Sequence, residues 1–506
     1  MRSFDSQAGA AQNKTVAGLD QVSNTLSQRT LGNATALAIG AAAETVLQLA
    51  FLILAGRQLG PEEFGFYGYV LAILTFVSTA AHYGLTVISV RELSQRPADE
   101  VSIFAATFRI RAGLSLAFFI AAIIVAAFTP LTDVHRSAVW IMFAYLLFQP
   151  FDLSLLFDAH KLSRWDVPGK IAGRLVSVGL LFTLWQIKGG ITVADVAICS
   201  SLLMLVNVLI GWIAARGQGL SLKLFAPTRD TRRLLRESAP VVWSNLLVLA
   251  YSQIQTVFVK WFSTDLETGF SALASRLIMP ILIFKGILYR VFLPLISESA
   301  ADREVFTERL EKIFPALSLI FMPMAALGIP AVQVLLVPLF GAEYAGAVLP
   351  LQIILSHLIF TGMGSLFGTA LLAAGDTRTP MIGLTVGCVI SLGCSILLIP
   401  HYGAVGAAWG TWLGEVISCG YALVKFVTVF RPRIYGRMLR IAAASLASTA
   451  AFYMLNIFFS LPGGYGLIIS AVVLIAALRV IGEISPDRLR AWRSLIAGKS
   501  PEASNE

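Results

Sequence analysis

Of the 506 residues, 57% are hydrophobic and only 13% are charged, well below the charged fraction of about one quarter found in soluble domains. That composition excludes a soluble enzyme or binding module and predicts an all-α integral membrane protein. The formal net charge of +9 would suit nucleic acid, but the positions of the basic residues give it a different use.

In chain order, residues 1–30 form a polar tail. It has no apolar core between a basic start and a cleavage site, so it does not read as a secretory signal peptide. Apolar stretches of roughly 18 to 25 residues follow, each long enough to cross about 30 Å of hydrocarbon as a helix. About fourteen occur, near 32–55, 65–90, 105–128, 138–158, 167–187, 193–215, 238–262, 271–297, 312–339, 345–374, 379–399, 404–429, 437–460 and 463–481. They divide into an N-lobe of six spans (31–215), a linker (216–237), a C-lobe of six (238–430), two further spans (431–482) and a tail (483–506). No loop is large enough for a folded soluble domain.

When the loops are assigned alternately to two sides, about 31 of the 38 lysines and arginines lie on the side of the N-terminal tail and about 5 on the other. Both termini are therefore expected in the cytoplasm. The densest clusters are Arg229, Arg232, Arg233 and Arg236, then Arg431, Arg433, Arg437 and Arg440, then Arg488, Arg490 and Arg493. Such clusters orient the chain and rest on anionic lipid headgroups, so membrane lipids are the expected partners and nucleic acid is not.

An internal echo crosses the linker. LILAGRQLGPEEFGFYGYVLAI joins the first two spans, and VFVKWFSTDLETGFSALASRLIM joins the seventh and eighth. With one gap, Arg57 aligns with Lys260, and Gly65-Phe66 with Gly269-Phe270. FDAHKLSRW and LAAGDTRTP form a second, weaker echo between the fourth and fifth spans of each half. Six spans per half make the repeat parallel, which predicts two lobes related by a pseudo-two-fold axis along the membrane normal, with a substrate cleft where they meet.

Ionisable residues at membrane depth are costly, about 2.5–3.5 kcal/mol at mid-span, and so face a bundle interior or water. Glu44 and Gln48 share a face of the first span, where they would either bind substrate or relay a cation, or else bond to another helix. The eighth span carries Arg276, Lys285 and Arg290 without an acid. At 100° per residue, Arg276 and Arg290 lie on one face and Lys285 half a turn away, so a straight helix cannot aim all three at one cleft. Arginine offers forked donors to phosphate oxygens, which makes this span a candidate contact for an anionic cargo; snorkelling of the two arginines to the interfaces is the competing reading. Arg57 and Lys260 are candidates for the outward rim. Arg174 and Glu415 are further cleft candidates, though ion pairing within the membrane would explain them equally, as it would Asp152. Gly406, Gly410 and Gly414 recur at four-residue intervals, a pattern for close helix packing.

Enzyme chemistry leaves little trace. The five histidines have no metal-site spacing, there is no Walker-type loop, and the four cysteines lie inside spans without CxxC spacing. No catalytic residue, metal or cofactor is expected.

The first hairpin, AGRQLGPEEFGFYGY, and the late segment LLAAGDTRTP…LLIPHYGAVGAAWGTWLGE, set in a six-plus-six-plus-two layout, resemble the polysaccharide transporter branch of the multidrug/oligosaccharidyl-lipid/polysaccharide exporter superfamily. This is the branch of the O-antigen and exopolysaccharide flippases. The likeness covers about residues 30 to 480, and its most specific pieces are LGPEEFGFY and IPHYGAVGAA. It implies two six-helix lobes around a cavity, alternating access, and export of a lipid-linked oligosaccharide repeat unit, usually on undecaprenyl pyrophosphate, to the periplasmic leaflet of a bacterial inner membrane. Polysaccharide polymerase and chain-length proteins are the partners it suggests. No family motif fixes individual contacts. Two alternatives remain: a cation-coupled multidrug exporter of the same superfamily, and a membrane-embedded glycan polymerase or ligase, against which the short outward loops count.

Overall fold

The computed structural model describes residues 2–228, 231–297, 303–432, 435–459 and 463–483. Within these, the side chains of 2–36, 38, 244, 251, 252, 287, 290–295, 297, 303 and 435 lie outside the description. Arg229, Arg433, Arg488, Arg490 and Arg493, and the side chain of Arg290, therefore fall outside the described residues.

Among the described residues the regular structure is entirely helical. It divides into two compact units, the first comprising 1–54 and 74–246, the second 55–73 and 247–506. In the first, α1 (Arg2–His82), apart from its residues 55–73, α2 (Leu85–Gln95), α3 (Glu100–Phe128) and α4 (Asp133–Phe143) are followed by the short α5 (Tyr145–Phe148) and α6 (Ser154–Ala159). Then come α7 (Val167–Lys188), α8 (Val193–Gly217) and the start of α9 (Thr231–Phe262). The second unit holds the rest of α9, then α10 (Asp265–Ser297), α11 (Arg303–Phe340), α12 (Val348–Ser356) and α13 (Leu358–Ala373), followed by α14 (Arg378–Phe430), α15 (Tyr435–Phe459) and α16 (Gly463–Val480).

Among the described residues, eleven helices are long and apolar enough to cross a membrane, or up to 12 if α9, bent by 53° between Thr231–Ala250 and Gln253–Phe262, is one span. The sequence pattern predicts about fourteen. The difference lies in two long stretches, Ile39–Gln95 of 57 residues and Arg378–Phe430 of 53 residues, each of which takes in two apolar runs. At 1.5 Å per residue, either would reach about 80 Å as one straight rod, far beyond the hydrocarbon thickness. Each is broken by a glycine at positive φ, a conformation L side chains rarely adopt, Gly60 at φ 72° and Gly403 at φ 52°.

The chemistry of each break is local. Pro61 follows Gly60 and opens the outgoing helix, where its missing N–H costs nothing and its fixed φ is already helical. Glu62 and Glu63 then sit in the first turn, where a helix N-terminus favours negative charge. After Gly403 the outgoing helix is capped from outside: the Glu267 carboxylate accepts from the Ala404 N–H at 2.7 Å.

Small residues set the close packing. In α14, Gly406, Gly410 and Gly414 face the backbone and serines of the preceding half, around Gly387 to Ile399. The aligned glycines Gly65 and Gly269 lie against each other inside the second unit: a Cβ at Gly65 would come within 2.6 Å of both Asp265 O and Gly269 N. In the first unit, α2, α3 and α6 bury Leu85, Ile103, Leu156 and Phe157 together with Leu234 of α9. In the second, α11, α13 and α14 close over Phe314, Phe367 and Phe426, with ring centroids 4.9–5.1 Å apart.

Candidate functional site

The first unit brings together two of the expected cleft residues. Glu44 of α1 meets Arg174 of α7 with Oε1 and Nη2 3.9 Å apart. Arg174 is the top of an i,i+4 ladder on α7, since Lys170 one turn earlier pairs with Asp166 at 2.7 Å and also feels Glu44 electrostatically. Gln48 is half-buried one turn beyond Glu44.

Beside this ladder the structure holds a polar cluster not expected from the sequence. Arg111 is 2% exposed; its Nη2 lies 2.8 Å from His82 Nε2 and donates to Gln149 O at 3.0 Å. A guanidinium only donates, so His82 Nε2 is the acceptor of that bond; Nδ1 lies 3.1 Å from Ser78 O and also against the Gln149 amide nitrogen. Asp152 supplies the nearby negative charge.

The second unit contains a cavity of about 400 Å³ formed by α9, α10, α12, α13 and α14, within the range of roughly 300–1,000 Å³ usual for small-molecule sites. Lys285 and Glu415 both line it, with His357, Thr361, Ser365 and Thr411. Lys285 Nζ donates to Ser365 Oγ at 3.2 Å. His357 is 6% exposed, and its Nε2 is buried without a partner among the described residues. Glu415 acts electrostatically on both Lys285 and His357.

Arg276 does not line this cavity. It stands on α10 beside Tyr67, on the side opposite Lys285, as the helical spacing required. The residue is half-buried, and its guanidinium has no ion pair or hydrogen bond among the described residues. Arg57 and Lys260 each have a partner: exposed Arg57 donates to Pro338 O of α11 at 3.4 Å, and Lys260 pairs with Asp265 across the turn into α10.

Sequence reasoning named Glu44, Arg174, Lys285 and Glu415 without pairing them. It missed His357, Ser365, Arg111 and His82. The available signal was His357 inside an apolar run, set aside for want of metal spacing.

Among the described residues, 11 or 12 candidate spans and a cavity in the second unit that sets a few polar side chains among apolar walls define a multi-span membrane protein. Residues 30–300 match the model of the polysaccharide biosynthesis protein family, and residues 168–474 that of lipid II flippase MurJ; each match exceeds half of the 506 residues. The chain belongs to these related families of the multidrug/oligosaccharidyl-lipid/polysaccharide exporter superfamily, and it is a flippase-type transporter and not an enzyme.

Among solved structures, lipid II flippase MurJ in an inward closed conformation is similar with a TM-score of 0.70 and 15% identity, over 88% of this chain and 98% of that one. An inward-facing multidrug resistance transporter of the MATE family gives a TM-score of 0.59 at 17% identity, over 78% and 95%. A superfamily transporter from Pyrococcus furiosus, described as having a binding pocket of reverse polarity, gives 0.50 at 15%, over 81% and 96%. At these identities the likeness is one of fold. No curated protein matched the sequence.

Proposed function

We propose that the protein carries a lipid-linked oligosaccharide repeat unit, built on undecaprenyl pyrophosphate, from the cytoplasmic to the periplasmic leaflet of a bacterial inner membrane by alternating access. The cargo feeds surface polysaccharide synthesis, with a polymerase and chain-length proteins acting after export and both termini in the cytoplasm. Family membership supports a lipid-linked cargo handled within the membrane.

The observation that carries the anionic cargo is Arg276, an arginine in a membrane span that no carboxylate neutralises among the described residues. An intramembrane cation without a counter-ion is costly, and a pyrophosphate oxygen is a fitting mate for its forked donors. The multidrug alternative would use an intramembrane acid to relay a cation; Glu44 is held by Arg174 at 3.9 Å, which disfavours that role.

The test is Arg276→Ala in a strain that depends on this gene for polymer export. A charge-assisted contact of about 1.5–3 kcal/mol corresponds to a roughly 10- to 100-fold loss, so polymer output should fall by at least tenfold with normal protein levels in the membrane. Arg276→Lys should keep part of it. Normal output from the alanine variant would refute the assignment.

A further inference from the structure

The cavity of the second unit has the wrong electrostatics for a second phosphate site. Lys285 is its only lysine or arginine among the described lining residues, and Glu415 shares the same space. The two formal charges cancel, and an incoming oxyanion attracted by Lys285 would also meet the carboxylate. A neutral polyhydroxyl ligand meets no such conflict, because each hydroxyl both donates and accepts. It can donate to Glu415 and accept from Lys285.

Three further features fit such a ligand. Lys285 spends one of its three N–H donors on Ser365 Oγ, and Ser365 in turn donates to Thr361 O at 2.9 Å; two donors remain for a guest. His357 Nε2 is buried without a partner among the described residues, while its Nδ1 is 3.4 Å from Thr361 Oγ1. A buried polar atom left in this state is costly, and a sugar hydroxyl would satisfy it. Between these groups the walls are aliphatic, including Ile278, Leu282 and Leu384, as the C–H face of a pyranose requires. Nine residues separate Arg276 from Lys285, about half a turn around α10, so the phosphate contact and this cavity are separate sites on one helix.

We propose that this cavity is a subsite for a neutral sugar of the cargo head group, with Glu415 and Lys285 holding its hydroxyls from two sides and His357 completing the set. The inference rests on the flippase reading above and deepens it by naming the class of sugar received here.

The test uses the full chain in lipid nanodiscs and three probes: a polyprenyl pyrophosphate without sugar, the same lipid carrying a neutral oligosaccharide that ends in glucose and is long enough to reach from Arg276 to the cavity, and the same oligosaccharide ending in glucuronic acid. Dissociation constants are read by fluorescence quenching, and each variant is checked for monodisperse elution. Wild type should bind the glucosyl lipid at least tenfold more tightly than the bare lipid, and more tightly than the glucuronosyl lipid. Glu415→Gln should remove most of the glucose increment while leaving the bare lipid unchanged, and Lys285→Gln should do the same. Arg276→Ala should weaken all three probes alike.

A glucose increment that survives both Glu415→Gln and Lys285→Gln overturns the subsite, as does a larger increment for glucuronate than for glucose. Failure of wild type to bind any of the three lipids instead refutes the flippase reading itself. Binding of the bare lipid with no sugar increment refutes only the subsite.

Discussion

Replacing Gly269 with alanine tests the closest helix contact in the second unit. A Cβ there would stand 2.7 Å from the carbonyl carbon of Pro61 and 3.1 Å from its Cα, where ordinary contacts begin near 3.4 Å. The obstacle is backbone, with the Pro61 carbonyl oxygen nearer still, so it cannot rotate aside, and the two helices must part by more than about 1 Å. Overpacking of this kind costs about 1–3 kcal/mol, offset by up to about 1 kcal/mol from the better helix propensity of alanine. The net expectation is a loss of about 1–2 kcal/mol, read as a melting temperature lowered by a few degrees in purified protein. Gly65→Ala meets the other side of the same contact. Once one variant has separated the helices the second costs less, so the double variant should fall short of the sum by about 0.5 kcal/mol or more. Gly286→Ala on the same helix is the control: a Cβ there has no atom within 4 Å, and the melting temperature should hold or rise. A Gly269→Ala protein as stable as wild type, or strict additivity in the double variant, would refute the close contact.

Two further outcomes follow from ion pairs and caps. Glu92, 4% exposed, accepts Arg233 of α9 at 2.5 Å and Arg91 at 3.1 Å, with Arg96 at 3.8 Å. Breaking a buried pair costs about 3–5 kcal/mol, but these arginines are partly exposed, so Glu92→Ala should cost about 1–3 kcal/mol, measured by thermal melting, and high salt should not reproduce the loss. Asp376 caps the start of α14, accepting from Thr379 Oγ1 at 2.6 Å and from the N–H groups of Thr379 and Arg378 at 3.0 and 3.1 Å. The Thr379 hydroxyl, with these N–H groups, holds its carboxyl below the usual aspartate range. Its contribution is therefore fully present above the unfolded pKa near 4 and is lost as pH falls through the lowered folded value. Asp376→Ala should lower the melting temperature at neutral pH and leave no difference from wild type once that acid range is passed.

The helical spans and their breaks were legible because hydropathy and Gly-Pro chemistry act over a few residues. LGPEEFGFY announces the turn at Gly60, and the 100° periodicity already separated Arg276 from Lys285. The span count differed because a single non-helical glycine leaves a nearly continuous helix on either side of each turn, while the hydropathy divides into two runs. The cavity was not legible. Lys285, His357 and Glu415 come from three segments spread over more than a hundred positions, and nothing in local periodicity says that they share one space. Glu44 and Arg174 were each recognised as needing a partner. That they meet each other depends on how α1 and α7 pack.

The assignment of residues 55–73 to the second unit, between flanks that belong to the first, bears on how the protein is made. The hairpin leaves the ribosome early, yet its partners come late: Gly65 waits for Gly269, and the Gly56 carbonyl waits for the Tyr344 hydroxyl at 2.9 Å, 288 positions downstream. Until then, two membrane helices carry a small-residue face without its mate, exposed to lipid and to other nascent chains. Biogenesis should therefore be the step most sensitive to this segment. A chain halted before Gly269 should remain open to proteolysis and capture by membrane chaperones at the hairpin, and synthesis past Tyr344 should end that exposure.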